Sequence, residues 1–417
     1  MKKIALFLIL PLCLISGGSF LYKRYFKTPD VTLLGSVKMS DGLGRHPVEL
    51  INAFSDEIDF SMVHTAKPCF IDVPRKAKKI IKSKTKKQGK ILLSFDSVWT
   101  PTYSSIRHLK EEDAPHQIRI AYSMFESTAI PPEWVTILNC YFDAVVVPDP
   151  FHEEVYKASG VQTPIFVLPL VLDLQPLLEK PLKEKPNTPF VFGNLSACVE
   201  RKNHLLLVKA FHQAFGRRSD VLLKINSRYA DPDYKQAIDD YIKEHKLSNV
   251  IVSTVCLDKH SYLNFFSSLD AYVSISTGEG FSIQPREAMA LGIPTLVSNN
   301  TAQTTIAKSN LALTLETIQK IPAIYNWNPN RSYGEWSTCS VEEVAQGLLT
   351  LYRDYDAQLE KSAEARLWAK NSDFSYLKPF YRSLLHPKKV VLGTENKITE
   401  EMVITTSPTL VKKYQSL

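Results

Sequence analysis

The sequence predicts an α/β protein of two domains, each built around a doubly wound parallel sheet. The chain has 417 residues, which exceeds the size of one typical hydrophobic core. Short apolar runs typical of strands alternate with helical patterns in both halves, an order that indicates parallel sheets. A polar stretch at 178–187 contains Pro181 and Pro186 and separates the two series. It therefore marks the predicted linker between an N-terminal domain, 28–177, and a C-terminal domain, 188–372.

Each predicted element follows from its own pattern of apolar, capping and turn residues. The predicted strands are 31–35, 59–63, 69–73, 90–95, 119–123, 144–147, 165–168, 189–193, 221–225, 250–253, 271–275 and 295–297. The predicted helices are one that opens within 40–47 and continues through 48–54, then 132–139, 153–159, 203–215, 232–245, 259–269 and 341–372. A last helix, 373–385, is predicted to return to the N-terminal domain, and 386–417 form a tail.

Composition and charge exclude some classes of function. With 44% hydrophobic and 10% aromatic residues the chain is typical of a globular protein. The net charge of +7 is concentrated in nine basic residues between 74 and 90, a segment without any acidic residue. The rest of the chain is close to neutral, which argues against a nucleic-acid-binding face. The basic segment is interpreted either as a solvated face or as a contact with an anionic membrane surface. The six cysteines show no metal-binding spacing and are predicted to be reduced.

The N-terminal segment, 1–27, contains an apolar run at 4–22 with basic residues on both sides. Its length is close to that of a membrane-spanning helix. This length favours an uncleaved anchor, and the slight excess of basic residues after the run favours a catalytic body that faces the cytoplasm. The alternative is a signal peptide that is removed near 16–18, followed by export.

The most informative run is 276–290, which lies between two apolar strand patterns. It sets Glu279 in a glycine-bracketed loop and Glu287 eight positions later inside a predicted helix. Ser282 is predicted to cap that helix and Gly292 to end it. A loop that leads from the carboxyl end of a strand into a helix N-terminus is suited to phosphate. Two carboxylates beside an anion site predict a ligand with sugar hydroxyls and phosphate, which describes a nucleotide sugar.

Two further patterns predict the surroundings of that ligand. Arg201 and Lys202 follow a strand pattern and precede a helix, where they can neutralise a diphosphate as a planar fork and a point charge. The charge that a departing diphosphate gains can be stabilised by such cations and by helix N–H groups, so no divalent metal is required. Gly42 and Gly44 follow the first strand, where they allow either a tight turn or the close approach of a ligand to the backbone.

Together these motifs resemble the GT-B glycosyltransferases, and specifically glycosyltransferase family 4. The resemblance extends from about residue 31 to residue 385. The matching segments are 279–287 for the family's Glu-x7-Glu motif, 193–202 for its phosphate-binding strand, loop and helix, 41–46 for its N-terminal glycine loop, and 121–134 for its Glu-Ser…Ile-Pro variant. The resemblance implies two Rossmann-like domains that face a central cleft.

The resemblance also implies an activity. The protein would be a retaining transferase that moves a hexose from a UDP- or GDP-sugar to a lipid-linked or polysaccharide acceptor, with no cofactor and no metal. It implies that Glu279 contacts the donor sugar, Glu287 the ribose, and Arg201 and Lys202 the diphosphate. The predicted catalytic residues are therefore Glu279, Arg201 and Lys202. The predicted substrate-binding residues are Gly42, Gly44, Glu126, Gly280, Phe281, Ser282 and Glu287.

The sequence departs from the family pattern at two positions, which keeps other functions open. No His stands near Glu126, so Glu126 is expected to take the role of that His, and Asn194 rather than Arg follows Gly193. The alternatives are a degenerate protein that holds a nucleotide or glycan as a scaffold, or an epimerase or phosphorylase of the same fold. Asp231, in an Asp-Pro-Asp run, is interpreted as a helix cap rather than a metal ligand, and His64 as structural.

Overall fold

Two six-stranded sheets organise the chain, one in each half. The computed structural model describes residues 28–83, 87–110, 113, 117–386, 388–390 and 403–405. Helices alternate with the strands along both halves. The predicted class, an α/β protein with two parallel sheets, is confirmed.

The first half contains strands β1 (Val31–Gly35), β2 (Phe60–His64), β3 (Ile91–Ser94), β4 (Trp99–Thr100), β5 (Tyr103–Ser104), β6 (Ile118–Tyr122), β7 (Ala144–Val147) and β8 (Ile165–Val167). Its helices are α1 (Gly42–Phe54), α2 (Arg75–Ile81), α3 (Pro132–Tyr141), α4 (Pro150–Ala158) and α5 (Gln175–Leu178). The sheet has the order β2-β1-β3-β6-β7-β8, and every neighbouring pair in it is parallel. Strands β4 and β5 form a separate antiparallel hairpin.

The second half contains strands β9 (Phe190–Leu195), β10 (Val221–Ser227), β11 (Val250–Thr254), β12 (Ala271–Ser274), β13 (Thr295–Asn299), β14 (Leu313–Glu316), β15 (Gln319–Tyr325) and β16 (Asn328–Thr338). Its helices are α6 (His204–Phe215), α7 (Pro232–Glu244), α8 (Lys259–Ser267), α9 (Ile283–Leu291), α10 (Thr304–Ala307), α11 (Val341–Arg353), α12 (Tyr355–Glu360), α13 (Ser362–Ala369) and α14 (Phe374–Leu385). The parallel sheet has the order β11-β10-β9-β12-β13-β14. Beyond α14, β17 (Lys388–Val390) pairs with β18 (Val403–Thr405).

Two predictions about the elements are wrong, and several elements were missed. No strand forms at 69–73, because Asp72 lies in the left-handed region with φ 57°, which an extended strand does not allow. The predicted helix 341–372 is divided into α11, α12, α13 and a final 3-10 turn. Its first segment ends at Asp354, which has non-helical backbone angles. The sequence reading also missed β14 and the antiparallel hairpin of β15 and β16.

Helix α14 packs against the first sheet although it follows the second in the chain. The hydroxyl of Tyr381 donates to the carbonyl of Pro169 at 2.8 Å, and its ring lies 5.3 Å from that of His46. At the start of the helix, Asp373 is almost fully buried and accepts hydrogen bonds from the amide of Leu174 at 3.0 Å and from that of Ser375 at 2.9 Å. One carboxylate therefore both caps α14 and ties it to the segment that leaves the first sheet.

The membrane-anchored location expected from the sequence is corrected here. Among the residues that the structure describes, no helix is both long enough and apolar enough to cross a bilayer. The segment 1–27, on which the expectation rested, lies outside the described residues, as does most of the tail 386–417.

The hydrogen bonds that Asp373 accepts from Leu174 and Ser375 predict that Asp373→Ala lowers the melting temperature of the full chain. The change removes a helix cap and leaves the buried amide of Leu174 without its acceptor, a combined loss of about 1–3 kcal/mol. Asp356→Ala, which removes an exposed carboxylate from the first turn of α12, is the matched control. Equal melting temperatures for the two variants in a calorimetric scan would contradict the assignment.

Candidate functional site

A cavity of about 870 Å³ lies between the two sheets. Its walls are formed by residues that follow β1 and β6 in the first half and β9 and β12 in the second. These are the carboxyl ends of parallel strands, where α/β sheets bind ligands. The predicted site residues that line it are Gly42, Glu126, Arg201, Lys202, Glu279, Gly280, Phe281, Ser282 and Glu287. Gly44 is the one predicted residue that does not line the cavity, although it belongs to the same turn as Gly42.

Four charged side chains meet at the centre of the cavity. The ammonium group of Lys202 contacts the carboxylate of Glu279, and Arg201 Nη1 lies 3.6 Å from Glu279 Oε2. The other guanidinium nitrogen, Arg201 Nη2, lies 3.2 Å from Oε1 of Glu126 in the opposite half. Arg201 also donates to the carbonyl of Gly278. Two cations and two carboxylates therefore neutralise one another across the cleft.

The ionisation of this cluster follows from its burial and its charges. Burial alone raises the pKa of Glu279, but Lys202 and Arg201 outweigh it and hold this pKa below its ordinary value. Burial lowers the pKa of Lys202, against the opposing effect of Glu279. Glu279 is consequently an anion at neutral pH, so it accepts hydrogen bonds and donates none.

Local backbone geometry brings Arg201 and Lys202 to this point. The 3-10 turn at 200–202 follows β9 and ends at Asn203, whose φ of 61° turns the chain into α6. The amide of Asn203 donates to Thr338 Oγ1 at 3.1 Å and holds the turn against β16. Asn194 does not line the cavity. It donates to Val273 O at 2.7 Å, which ties β9 to β12. The charge at this position of the family pattern is thus absent, and Arg201 and Lys202 supply the positive charge beside Glu279.

The N-terminus of α9 faces the cavity without a side-chain cap. Ser282 lies in the left-handed region with φ 62° and makes no capping bond, so the predicted cap is wrong. Its hydroxyl accepts instead from Gln303 Nε2 at 2.9 Å. Both Ile283 and Gln284, the first two residues of the helix, line the cavity. First-turn N–H groups without a cap are suited to an anionic ligand. The predicted helix end at Gly292, with φ 77°, is confirmed.

Close packing across the cleft explains the glycines. A Cβ on Gly42 would lie 2.9 Å from Cδ1 of Ile283 in the other half, and one on Gly44 would lie 2.9 Å from the backbone nitrogen of Lys38. Both glycines lie in the first turn of α1, whose cap is Asp41. On the opposite wall, a Cβ on Gly280 would lie 2.8 Å from the sulfur of Met124. Gly42 and Gly280 therefore allow the close approach of the two halves, while Gly44 allows a tight turn within the first half.

The second carboxylate of the motif, Glu287, is held by two residues that the sequence reading missed. Arg45 Nη1 lies 3.2 Å from Glu287 Oε1, and the hydroxyl of Tyr262 donates to the other carboxylate oxygen. Arg45 belongs to the Asp-Gly-Leu-Gly-Arg-His run, and its position next to the two glycines could have identified it as a residue of the cleft. Tyr262 lies on α8, and no local pattern distinguished it.

A third residue of the 276–290 run, Arg286, joins the halves away from the cavity. Its guanidinium group lies 3.6 Å from the carboxylate of Asp149 at the start of α4, and both side chains are almost fully buried. The guanidinium also stacks on the ring of Phe281 at 4.0 Å and donates to Ser282 O at 3.3 Å. Burial lowers the pKa of Arg286 to about 10, which leaves it charged at neutral pH.

The remaining candidates have structural roles. Asp231 caps α7 by accepting from the amide of Tyr234 at 3.1 Å, as predicted. His64 Nε2 lies 3.2 Å from the carbonyl of Ile81, also as predicted for a structural histidine. Within the described ranges, no group of three or more His, Cys, Asp and Glu side chains is arranged to hold a metal ion. All five cysteines described are free.

Comparisons with known proteins agree with this architecture. Residues 178–315 match the family model "Glycosyl transferases group 1". No curated protein matches the sequence. The resemblance predicted from the motifs is confirmed at the level of group 1, while the assignment to family 4 remains a prediction.

Solved structures share the fold over most of the chain. HepE of Anabaena, in complex with UDP and glucose, is 11% identical, with 86% of this chain and 99% of HepE covered at a TM-score of 0.62. A glycosyltransferase of Rickettsia africae is 15% identical, with 85% and 98% covered at 0.61. The pneumococcal O-GlcNAc transferase GtfA, in complex with UDP and GlcNAc, is 15% identical, with 71% and 56% covered at 0.51. The predicted GT-B architecture is confirmed.

The buried pair of Arg286 and Asp149 predicts a large loss of stability in Arg286→Met. The change leaves a buried carboxylate without its counter-ion, which typically costs about 3–5 kcal/mol. Arg331→Ala is the matched control, because it breaks another pair between the two halves, with Glu133 at 3.0 Å, in which the two side chains are 46% and 33% exposed. That loss should stay below about 1 kcal/mol. Urea unfolding followed by fluorescence measures both, and comparable losses would contradict the role of the buried pair.

The depressed pKa of Glu279 predicts a defined pH dependence. Its ionised form stabilises the folded state fully above its ordinary value of 4.5, and that contribution is lost as the pH falls through the lower folded pKa. The difference in melting temperature between the wild type and Glu279→Gln should therefore be constant from neutral pH to about 4.5 and shrink below it. A difference that grows on acidification would show that Glu279 is protonated in the folded protein.

Proposed function

We propose that this chain, whose residues 178–315 form a group 1 glycosyltransferase domain, transfers a hexose from a nucleotide-diphosphate sugar to a glycan or lipid-linked acceptor. The reaction retains the anomeric configuration and uses no metal ion. The observation that carries the proposal is the cluster of Lys202, Arg201 and Glu279 at the uncapped N-terminus of α9.

The donor class follows from the chemistry of this cluster. Two cations and free helix N–H groups suit a diphosphate, and ionised carboxylates suit the hydroxyls of the sugar and ribose. UDP is the first nucleotide to test, because HepE was solved with UDP-glucose and GtfA with UDP and GlcNAc. GDP-sugars remain the second choice.

Each residue has a role in this reaction. Lys202 and Arg201 exchange Glu279 for the diphosphate and stabilise the charge that this leaving group gains as the glycosidic bond breaks. Glu279 then accepts hydrogen bonds from the donor sugar, and Glu287 accepts them from the ribose, oriented by Arg45. The departing phosphate takes the proton of the acceptor hydroxyl, which attacks from the same face and so retains the configuration. Fixed cations supply the charge that a metal ion provides elsewhere.

Binding without turnover is the principal alternative. It is favoured by Asn194, which bonds to Val273 and to the His204 ring instead of contributing a charge to the cleft. An epimerase or phosphorylase of the same fold would bind the same nucleotide or phosphate groups. The products of the reaction distinguish the proposed transferase from these alternatives, because neither binding alone nor an epimerase or phosphorylase transfers sugar from a nucleotide to a new hydroxyl.

The first test is the melting temperature of the full chain with UDP-, GDP- and ADP-sugars. A nucleotide sugar at 100 times its dissociation constant should stabilise the folded state by about 2.7 kcal/mol. Transfer to an acceptor panel and hydrolysis of the donor are then measured by chromatography. No shift with any nucleotide sugar would contradict the proposed function.

Variants test the mechanism. Lys202→Ala and Glu279→Gln should each lower kcat/KM by about 100-fold or more, the effect of removing one group that stabilises developing charge. Lys243→Ala and Glu244→Gln, which change exposed residues near the end of α7, are the matched controls and should retain activity. Wild-type rates in both cleft variants would exclude the proposed mechanism.

A further inference from the structure

The hairpin of β15 and β16 reaches from the second half to the first and closes one end of the cavity. Ser127 Oγ donates to Tyr333 O at 2.6 Å, and the amide of Glu335 donates to Thr128 Oγ1 at 2.8 Å. The backbones approach so closely that a Cβ on Gly334 would lie 2.5 Å from the nitrogen of Ala129. The hairpin is therefore seated firmly on the loop after β6, the loop that carries Glu126.

Aromatic side chains from both halves line this end of the cavity. Phe125 lies 5.0 Å from Trp134 and 4.9 Å from Tyr325, measured between ring centroids. Tyr325 lies 5.1 Å from Trp336 and is stacked on Trp327 at 5.3 Å. The residues of this aromatic wall are Trp99, Phe125, Trp134, Tyr325, Trp327 and Trp336. Trp99 and Trp327 are only half-buried, so part of each ring is open to a ligand.

Two polar atoms of the aromatic wall are buried without a hydrogen-bond partner among the described residues. They are Tyr325 Oη and Trp336 Nε1, on side chains that are 8% and 7% exposed. Ser127 and Trp336 both lie close to Tyr325 Oη, but neither meets the geometry of a hydrogen bond to it, and the Ser127 hydroxyl donates to the carbonyls of Tyr333 and Ala129. Buried Tyr and Trp polar groups ordinarily have partners. Because both residues line the cavity, a ligand with hydroxyl groups can supply those partners.

The aromatic wall adjoins the loop of Glu279. A Cβ on Gly278 would lie 2.8 Å from Cδ1 of Trp336 and 2.1 Å from the carbonyl oxygen of Glu126. The amide of Ser337 donates to Thr277 O at 3.0 Å. A ring bound against the aromatic wall would therefore lie next to the residues that contact the donor sugar in the proposed function.

We propose that the aromatic wall binds the acceptor, and that this acceptor presents a pyranose ring. A pyranose has an apolar face of C–H groups and a rim of hydroxyls, which match an aromatic face and the two unpartnered polar atoms. This inference rests on the proposed function, because the donor occupies the groups around Glu279 and Glu287 and leaves the aromatic wall for the second substrate. The inference favours a glycan acceptor over an acceptor that contains no sugar ring.

The test is binding of maltotriose, cellotriose and chitotriose to the full chain, followed by tryptophan fluorescence. At least one of them should change the emission saturably. Trp327→Ala should weaken that binding by about tenfold, as expected for an aromatic anchor. Tyr325→Phe, which deletes only the unpartnered hydroxyl, should weaken it by about fivefold. Because this hydroxyl makes no hydrogen bond of normal geometry to any of the described residues, the melting temperature of Tyr325→Phe should not fall.

Tyr355→Phe is the matched control. Its hydroxyl is also buried without a partner among the described residues, but Tyr355 does not line the cavity. It should leave saccharide binding unchanged. No binding of any trisaccharide, or an equal loss in Tyr355→Phe, overturns the inference. So does a loss of UDP affinity in Tyr325→Phe as large as the loss of saccharide affinity, because the aromatic wall would then hold the donor. The UDP melting shift of the wild type tests the proposed function separately.

Discussion

The contact of Lys202 and Arg201 with Glu279 is the interaction on which the cleft depends. Three charged groups buried between two sheets are tolerated only because each has an opposite charge within reach. That requirement brings the turn after β9 against the loop after β12, and Glu126 extends the network into the first half. The glycines at 42, 278 and 280 then supply the close approach that these contacts need.

Patterns within one stretch of chain were sufficient to predict much of this arrangement. Parallel strands are buried on both faces and therefore give continuous apolar runs, so every strand of the first sheet and every strand of the second except β14 was predicted from the sequence. The run at 276–290 combines a strand end, a loop and a helix start, and its location in the cleft was recognised from that order. Arg201 and Lys202 were found in the same way, at the end of β9.

Contacts between segments distant in the chain could not be predicted. Arg45 and Glu287 are 242 positions apart, and the pair depends on how the two sheets face each other, which no local pattern encodes. The hairpin of β15 and β16 was missed because its polar and aromatic residues suit packing on a neighbouring surface rather than alternation around its own core. Ser282 resembles a cap in sequence, yet its left-handed backbone directs its hydroxyl to Gln303 instead.

The pairing of Lys202 with Glu279 has a consequence for the departure of product. A cation that already has a counter-ion in the empty protein binds a diphosphate by exchange, so part of the attraction is offset by the separation from Glu279. When the nucleotide leaves, that carboxylate again neutralises the cation, and no unpaired charge remains in the buried cleft. Glu279 therefore both weakens the binding of the nucleotide and favours its release. Product release is the step that limits the turnover rate of many enzymes.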